Sequence, residues 1–243
     1  MKEIKILYLY SDILELYGDH SNIDILKYRI EKRKINCNID VYNIGDEKPN
    51  FSLYDIIFIA GGMEESRNKI IKDLEKQKDN IQKTIKEGVF FLLIGQGYEI
   101  FGKSYEDDKN NITKCLNIFP YYFKEVDKKY IGNIILNANF NKNEKENNDI
   151  SLVGFENHKT EVFDLFWNLG IIKKDGRKEG FFIGNVIGTY LHGPFLSKNP
   201  EISDYIIKNV LERKYEEKIE LKNLDDSFEI KAKKEILERE KWK

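Results

Sequence analysis

Val89-Phe90-Phe91-Leu92-Leu93-Ile94-Gly95-Gln96-Gly97-Tyr98-Glu99-Ile100-Phe101 is the stretch on which the fold turns. Its first six residues are apolar without alternation, so neither face of the segment meets water. That is the pattern of a strand in the middle of a parallel sheet covered by helices. The strand runs into Gly95-Gln96-Gly97 and then a helical start, the arrangement of a nucleophile elbow. There a sharp turn lifts one side chain off the strand end, while backbone N–H groups and the helix start face an anion. Taken alone, the glycines fit an ordinary turn at least as well, because isolated glycine signals are common.

Upstream, a charged helical pattern from Glu64 to Glu87 ends at Gly88, and the apolar run Ile56 to Ala60 breaks at Gly61-Gly62. Ile4 to Tyr10 reads as a buried strand delivering a loop at Ser11-Asp12, and Cys37 to Tyr42 as a second strand. Between them Ile23, Leu26 and Ile30 recur at helical spacing, with Asn22 as a candidate cap and Lys32, Arg33 and Lys34 near the C-terminal end. Downstream, Ile112 to Ile150 mixes short strand-like pieces with a polar segment, Asn141 to Asp149, expected to be a surface loop. Phe181 to Tyr190 reads as a strand, Leu191 to Pro194 as a turn, and Glu201 to Arg213 and Asp226 to Glu240 as closing helices. Alternating strands and helices predict one α/β domain over residues 1–243, with a doubly wound, mostly parallel sheet.

The 243 residues are 41% hydrophobic and 13% aromatic with four prolines, the composition of an ordered globular chain. Forty Lys and Arg against 42 Asp and Glu leave a net charge of −2, which gives no field to draw nucleic acid or an acidic membrane. Mixed-sign runs such as Lys142 to Glu146 read as solvated surface. Cys37 and Cys115 are too few for a disulfide framework and match no metal spacing, so a reducing compartment fits and no metal is expected. No apolar stretch approaches membrane-spanning length and no leader cleavage site follows the first residues, so a cytoplasmic protein is expected. The absence of a G-x-x-x-x-G-K-[ST] loop puts any ATP chemistry in another chain.

Longer motifs carry a family resemblance from end to end. Ser11-Asp12-Ile13-Leu14-Glu15-Leu16-Tyr17-Gly18-Asp19, followed by Asn22-Ile23, resembles the opening loop of the GatD family, the glutamine amidotransferase subunits of lipid II isoglutaminyl synthase. Ala60-Gly61-Gly62 resembles that family's oxyanion loop, Gly154-Phe155-Glu156-Asn157-His158 its mid-chain motif, and Gly188-Thr189-Tyr190-Leu191-His192-Gly193-Pro194 its histidine motif. The wider relatives are the CobB/CobQ-type class I amidotransferases. The resemblance implies a subunit that hydrolyses glutamine and passes ammonia to a Mur-ligase-like partner, MurT. That partner would hold the ATP and Mg and activate the α-carboxylate of D-glutamate in the peptidoglycan stem peptide. The chain itself would need no cofactor.

The family elbow reads Ile-Cys-Gly-Gly-Tyr-Gln, and the matching residues here are Ile94, Gly95, Gln96, Gly97, Tyr98 and Glu99. The resemblance therefore puts Gly95 at the nucleophile position and His192 at the catalytic histidine, and glycine cannot attack an amide. The family's substrate-holding arginine falls on Lys129, which keeps charge but loses the bidentate fork. Backbone donors for an oxyanion would come from Gln96 and from Gly61 or Gly62, while His20 and His158 read as structural. Departures at Gly95, Gln96, Glu99 and Lys129 together favour natural divergence over a single engineered knockout. Three readings follow: a glutaminase-dead subunit of the complex, a glutaminase using an unrecognised nucleophile, and a regulatory ligand-binding domain.

Overall fold

Placing a strand that is apolar on both faces requires neighbours on both edges and helices above and below it. In the computed structural model, which describes residues 2–138 and 150–239, the first half of the chain supplies these in alternation. The order is β1 (Glu3–Leu9), α1 (Ser21–Glu31), β2 (Asn36–Tyr42), β3 (Ile56–Ile59), α2 (Glu64–Glu75), α3 (Lys78–Lys86), β4 (Phe90–Ile94) and α4 (Gln96–Phe101). The second half follows as β5 (Ser104–Glu106), β6 (Ile112–Lys114), β7 (Tyr122–Ala138), β8 (Ile150–Phe163), β9 (Asn168–Ile172), β10 (Lys178–Ile183) and β11 (Val186–Thr189). The helices α5 (Phe195–Lys198), α6 (Pro200–Tyr215) and α7 (Ser227–Arg239) close it.

The strands form one sheet in the order β2-β1-β3-β4-β11-β10-β9-β7-β5-β6, with β8 paired to β7. From β2 to β11 every pairing is parallel, and β4 lies between β3 and β11. Phe90 to Ile94 are at most 1% exposed, as the unbroken apolar run requires. Crossovers run in opposite directions along the sheet, from β1 through α1 to β2 and from β3 through α2 and α3 to β4. Right-handed connections then put those helices on opposite faces of a doubly wound sheet. Beyond β11 the β11-β10, β10-β9 and β9-β7 pairings are antiparallel and β7-β5 is parallel, and an apolar core runs from Ile4 to Ile219.

Four sequence readings change in detail. The pattern Glu64 to Glu87 is two helices, broken where Gln77 leaves helical geometry at φ −117° and starts α3. The stretch Phe181 to Tyr190 is a hairpin of β10 and β11, because Gly184 at φ +57° turns the chain and both arms are buried in the same sheet. Asn22 does not cap α1 but sits buried inside it, donating to the Asp19 carbonyl at 2.9 Å and accepting the Leu196 N–H at 2.9 Å. The stretch after Ile112 includes one 17-residue strand, β7, rather than short pieces alone. The segment 141–149, read as a surface loop, and Glu240 lie outside the described residues.

Because β1, β3, β4 and β11 are parallel, their C-terminal ends open at one edge, next to the point where strand order reverses between β1 and β3. Crevices at such switch points are where open α/β sheets bind ligands. The helix after β4 sits hard against β3: a Cβ at Gly97 would stand 2.7 Å from the Ile59 carbonyl oxygen. Gly97→Ala should therefore destabilise the chain by about 1–3 kcal/mol. A urea transition with a lowered midpoint and unchanged slope would show it.

Candidate functional site

Gly95 joins β4 to α4 at φ +53°, ψ −114°, a left-handed conformation that glycine adopts with little steric cost. Its N–H donates to the Thr189 carbonyl at 2.8 Å, and its carbonyl accepts the Glu99 N–H at 3.1 Å, so the turn is fixed from both sides. A Cβ built there would lie 2.9 Å from His192 Cε1, 3.5 Å from His192 Nε2 and 3.3 Å from Gly61 Cα. The absent side chain thus points at the imidazole, and His192 with the 60–62 loop has closed over the space.

His192 follows β11 and is held on three sides. Its backbone bridges to Phe155 of β8, with the His192 N–H donating to the Phe155 carbonyl at 2.9 Å. Its Nδ1 lies 2.9 and 3.1 Å from the two oxygens of Asp19, whose carboxylate is fully buried. The Tyr17 ring packs 4.8 Å from the imidazole. Nδ1–H therefore donates to Asp19, and Nε2 is left facing the cavity. Asp19 closes the opening motif, where nothing in the sequence marks it as a partner of the histidine. A carboxylate 173 residues from its histidine leaves no local spacing signal.

The loop after β3 behaves differently from expectation at one atom. The Gly61 N–H donates to Asp19 Oδ2 at 3.2 Å and is already committed, which leaves Gly62 and Gln96 as the candidate oxyanion donors. The Gln96 side chain accepts from Ser66 Oγ at 2.6 Å and donates to the Met63 carbonyl at 3.0 Å. It latches the start of α2 against the elbow.

These residues floor a cavity of about 390 Å³. On its wall Arg67 donates to Glu99 Oε2 at 2.8 Å, and Tyr190 donates to Glu99 Oε1 at 2.7 Å. Burial opposes the charge of Arg67, but Glu99 outweighs it and holds the guanidinium above its ordinary range. Lys159 pairs with Glu125 at 2.5 Å, which raises the ammonium's pKa, and Tyr105 donates to the same carboxylate at 2.6 Å. Lys129 does not line this cavity: a register shift in β7 between Glu125 and Tyr130 leaves residues 127–129 exposed. His158 does line it, stacked on Tyr190 at 4.1 Å. His20 lies outside it, paired with Glu15. No group of three metal-ligating side chains stands together among the described residues.

A family model for the CobB/CobQ-like glutamine amidotransferase domain matches residues 5–200. GatD of Staphylococcus aureus (strain N315), a lipid II isoglutaminyl synthase (glutamine-hydrolyzing) subunit, is 34% identical over 98% of this chain and 97% of its own. The chain belongs to the GatD family of CobB/CobQ-like glutamine amidotransferases. GatD of Streptococcus pneumoniae (strain ATCC BAA-255 / R6) is 29% identical over 92% of this chain and 86% of its own. Among solved structures, the glutaminase domain of Trypanosoma brucei CTPS with bound acivicin superposes at TM-score 0.54 and 13% identity, covering 90% of this chain and 96% of that one. PurLQS from Thermotoga maritima gives TM-score 0.52 at 16% identity, covering 89% and 100%. Both show the same fold.

Within that fold no thiol reaches the site. Cys37 is in β2 and Cys115 follows β6, and neither lines the cavity. Burial, with Glu31 nearby, pushes the Cys37 thiol up to about 11; burial, with Glu99 nearby, pushes Cys115 up to about 12. A raised thiol is protonated until high pH. Iodoacetamide should therefore label both roughly a hundredfold or more slower than a free cysteine at about pH 8, with rates still climbing through pH 10. Mass spectrometry of the labelled peptides checks this, and rapid labelling of either at neutral pH would contradict it.

Proposed function

We propose that this chain is the glutamine amidotransferase-like subunit of a lipid II isoglutaminyl synthase and that it does not hydrolyse glutamine. The single observation carrying the second part is Gly95: the position aimed at the Asp19–His192 pair bears no side chain. The amide cleavage of this family proceeds by thiolate attack, with the histidine taking the proton and a glutamyl thioester forming. With no Sγ the bond to the amide carbon cannot form, and oxyanion donors alone do not replace it.

The parts around the missing group persist: the sharp turn, the oriented imidazole and the glycine loop. Persistence of fold without nucleophile favours a subunit kept for assembly over a glutaminase with a substitute thiol, since both cysteines lie away from the cavity. The ligase reaction belongs to a Mur-ligase-like, ATP- and Mg-dependent partner of the MurT kind, which activates the D-glutamate α-carboxylate of the stem peptide. In this reading its nitrogen comes from free ammonia.

The complex with its partner, supplied with ATP, Mg and lipid II, should amidate with ammonium chloride and fail with glutamine. Ammonia release by the chain as written should fall on the order of a million-fold below a cysteine-bearing relative. Glutamine-driven amidation at a comparable rate would overturn the reading. Gly95→Cys alone should recover little of the lost rate, because its Cβ meets His192 Cε1 at 2.9 Å and the ring must first move. Measured turnover of that variant, with and without the partner, tests the point.

A further inference from the structure

The cavity that remains is not built for an amino acid. A glutamine α-carboxylate needs a free cation, and the two cations lining this cavity are taken: Arg67 by Glu99, Lys159 by Glu125. Lys129 stands outside. Glu64, 3.8 Å from Arg67, and Glu65 add two exposed carboxylates, so four acids line the cavity with two bases. An excess of one sign along a cleft concentrates counter-ions of the other.

A second observation names the chemistry of the counter-ion. The His192 side chain is 3% exposed and lines the cavity, its Nδ1–H is spent on Asp19, and its Nε2 has no hydrogen-bond partner among the described residues. With the Nδ1–H turned to Asp19, the second ring nitrogen is the one that can offer a lone pair to the cavity. An acceptor at the floor of a negatively charged cleft suits a small cation that carries N–H.

We propose that the cavity binds ammonium or a protonated primary amine, with His192 Nε2 accepting one N–H and the carboxylates balancing the charge. The proposal rests on the loss of glutamine hydrolysis for its purpose, as a vestibule that gathers free ammonium for the partner. Binding itself needs neither partner nor turnover.

The chain has three histidines, so selective ¹³C-histidine labelling gives a spectrum in which His192 is assigned by its loss in His192→Gln. The full-length protein is titrated at a fixed pH of about 8 with ammonium chloride, methylammonium chloride, tetramethylammonium chloride, potassium chloride and glutamine. The expected result is a saturable shift of the His192 ring signals with ammonium and methylammonium and none with the other three. Glu64→Gln with Glu65→Gln, both exposed in the first turn of α2, should weaken that titration about threefold while the circular dichroism spectrum stays that of the unmodified chain. Shifts equal to those from potassium or tetramethylammonium, no saturable shift, or tighter binding of glutamine would each overturn the proposal. Absence of ammonium binding leaves the loss of glutaminase activity standing. Glutamine turnover would sink that loss without touching the binding curve.

Discussion

The buried contact between Asp19 and His192 is the constraint around which this edge of the sheet is arranged. Asp19 lies on the loop after β1 and His192 on the loop after β11, on either side of β3 and β4 in the sheet. The same carboxylate also accepts the Gly61 N–H from the loop after β3. Three strand ends are thus tied at one fully buried charge, and Gly95 at the end of β4 fills the space between them. Removing one member leaves the other buried without its hydrogen-bond partner, a loss of about 1–3 kcal/mol. That cost holds the imidazole in place whether or not a thiol stands beside it.

A second set of contacts has taken over the elbow helix. Gln96 and Glu99, both departures from the family pattern, reach across to α2, the first to Ser66 and the Met63 carbonyl and the second to Arg67. Each joins the helix after β4 to the helix after β3 through a polar bond shielded from solvent, where such bonds are stronger and more costly to leave unmade. Gly97 permits the approach, because it leaves the Ile59 carbonyl uncovered. Gln96 and Glu99 therefore both tie the helix after Gly95 to the start of α2, through separate partners.

Much of this was legible along the chain. The run Val89 to Ile94 was unambiguous because both faces of a central parallel strand are dry, and the glycine break after it marked the turn. The hairpin of β10 and β11 was not legible as two strands, since both arms are buried and their shared apolar character masks the turn at Gly184-Asn185. Lys129 was placed at the substrate by motif correspondence, and a register shift in β7 turns that stretch to solvent. Asp19 was visible as a residue but not as a partner, because nothing local links it to a histidine near the other end of the sequence.

The strand, the turn and the glycine at its apex are written in the sequence, because they depend on side-chain type and on spacing within a dozen residues. Tertiary structure decided which loops meet. It committed the Gly61 N–H to a carboxylate, spent Arg67 and Lys159 on Glu99 and Glu125, and set His192 in the cavity lining with its Nδ1 on Asp19. Those outcomes come from strands that are parallel and side by side in space while distant along the chain, and only the closed sheet brings their charges within range of one another.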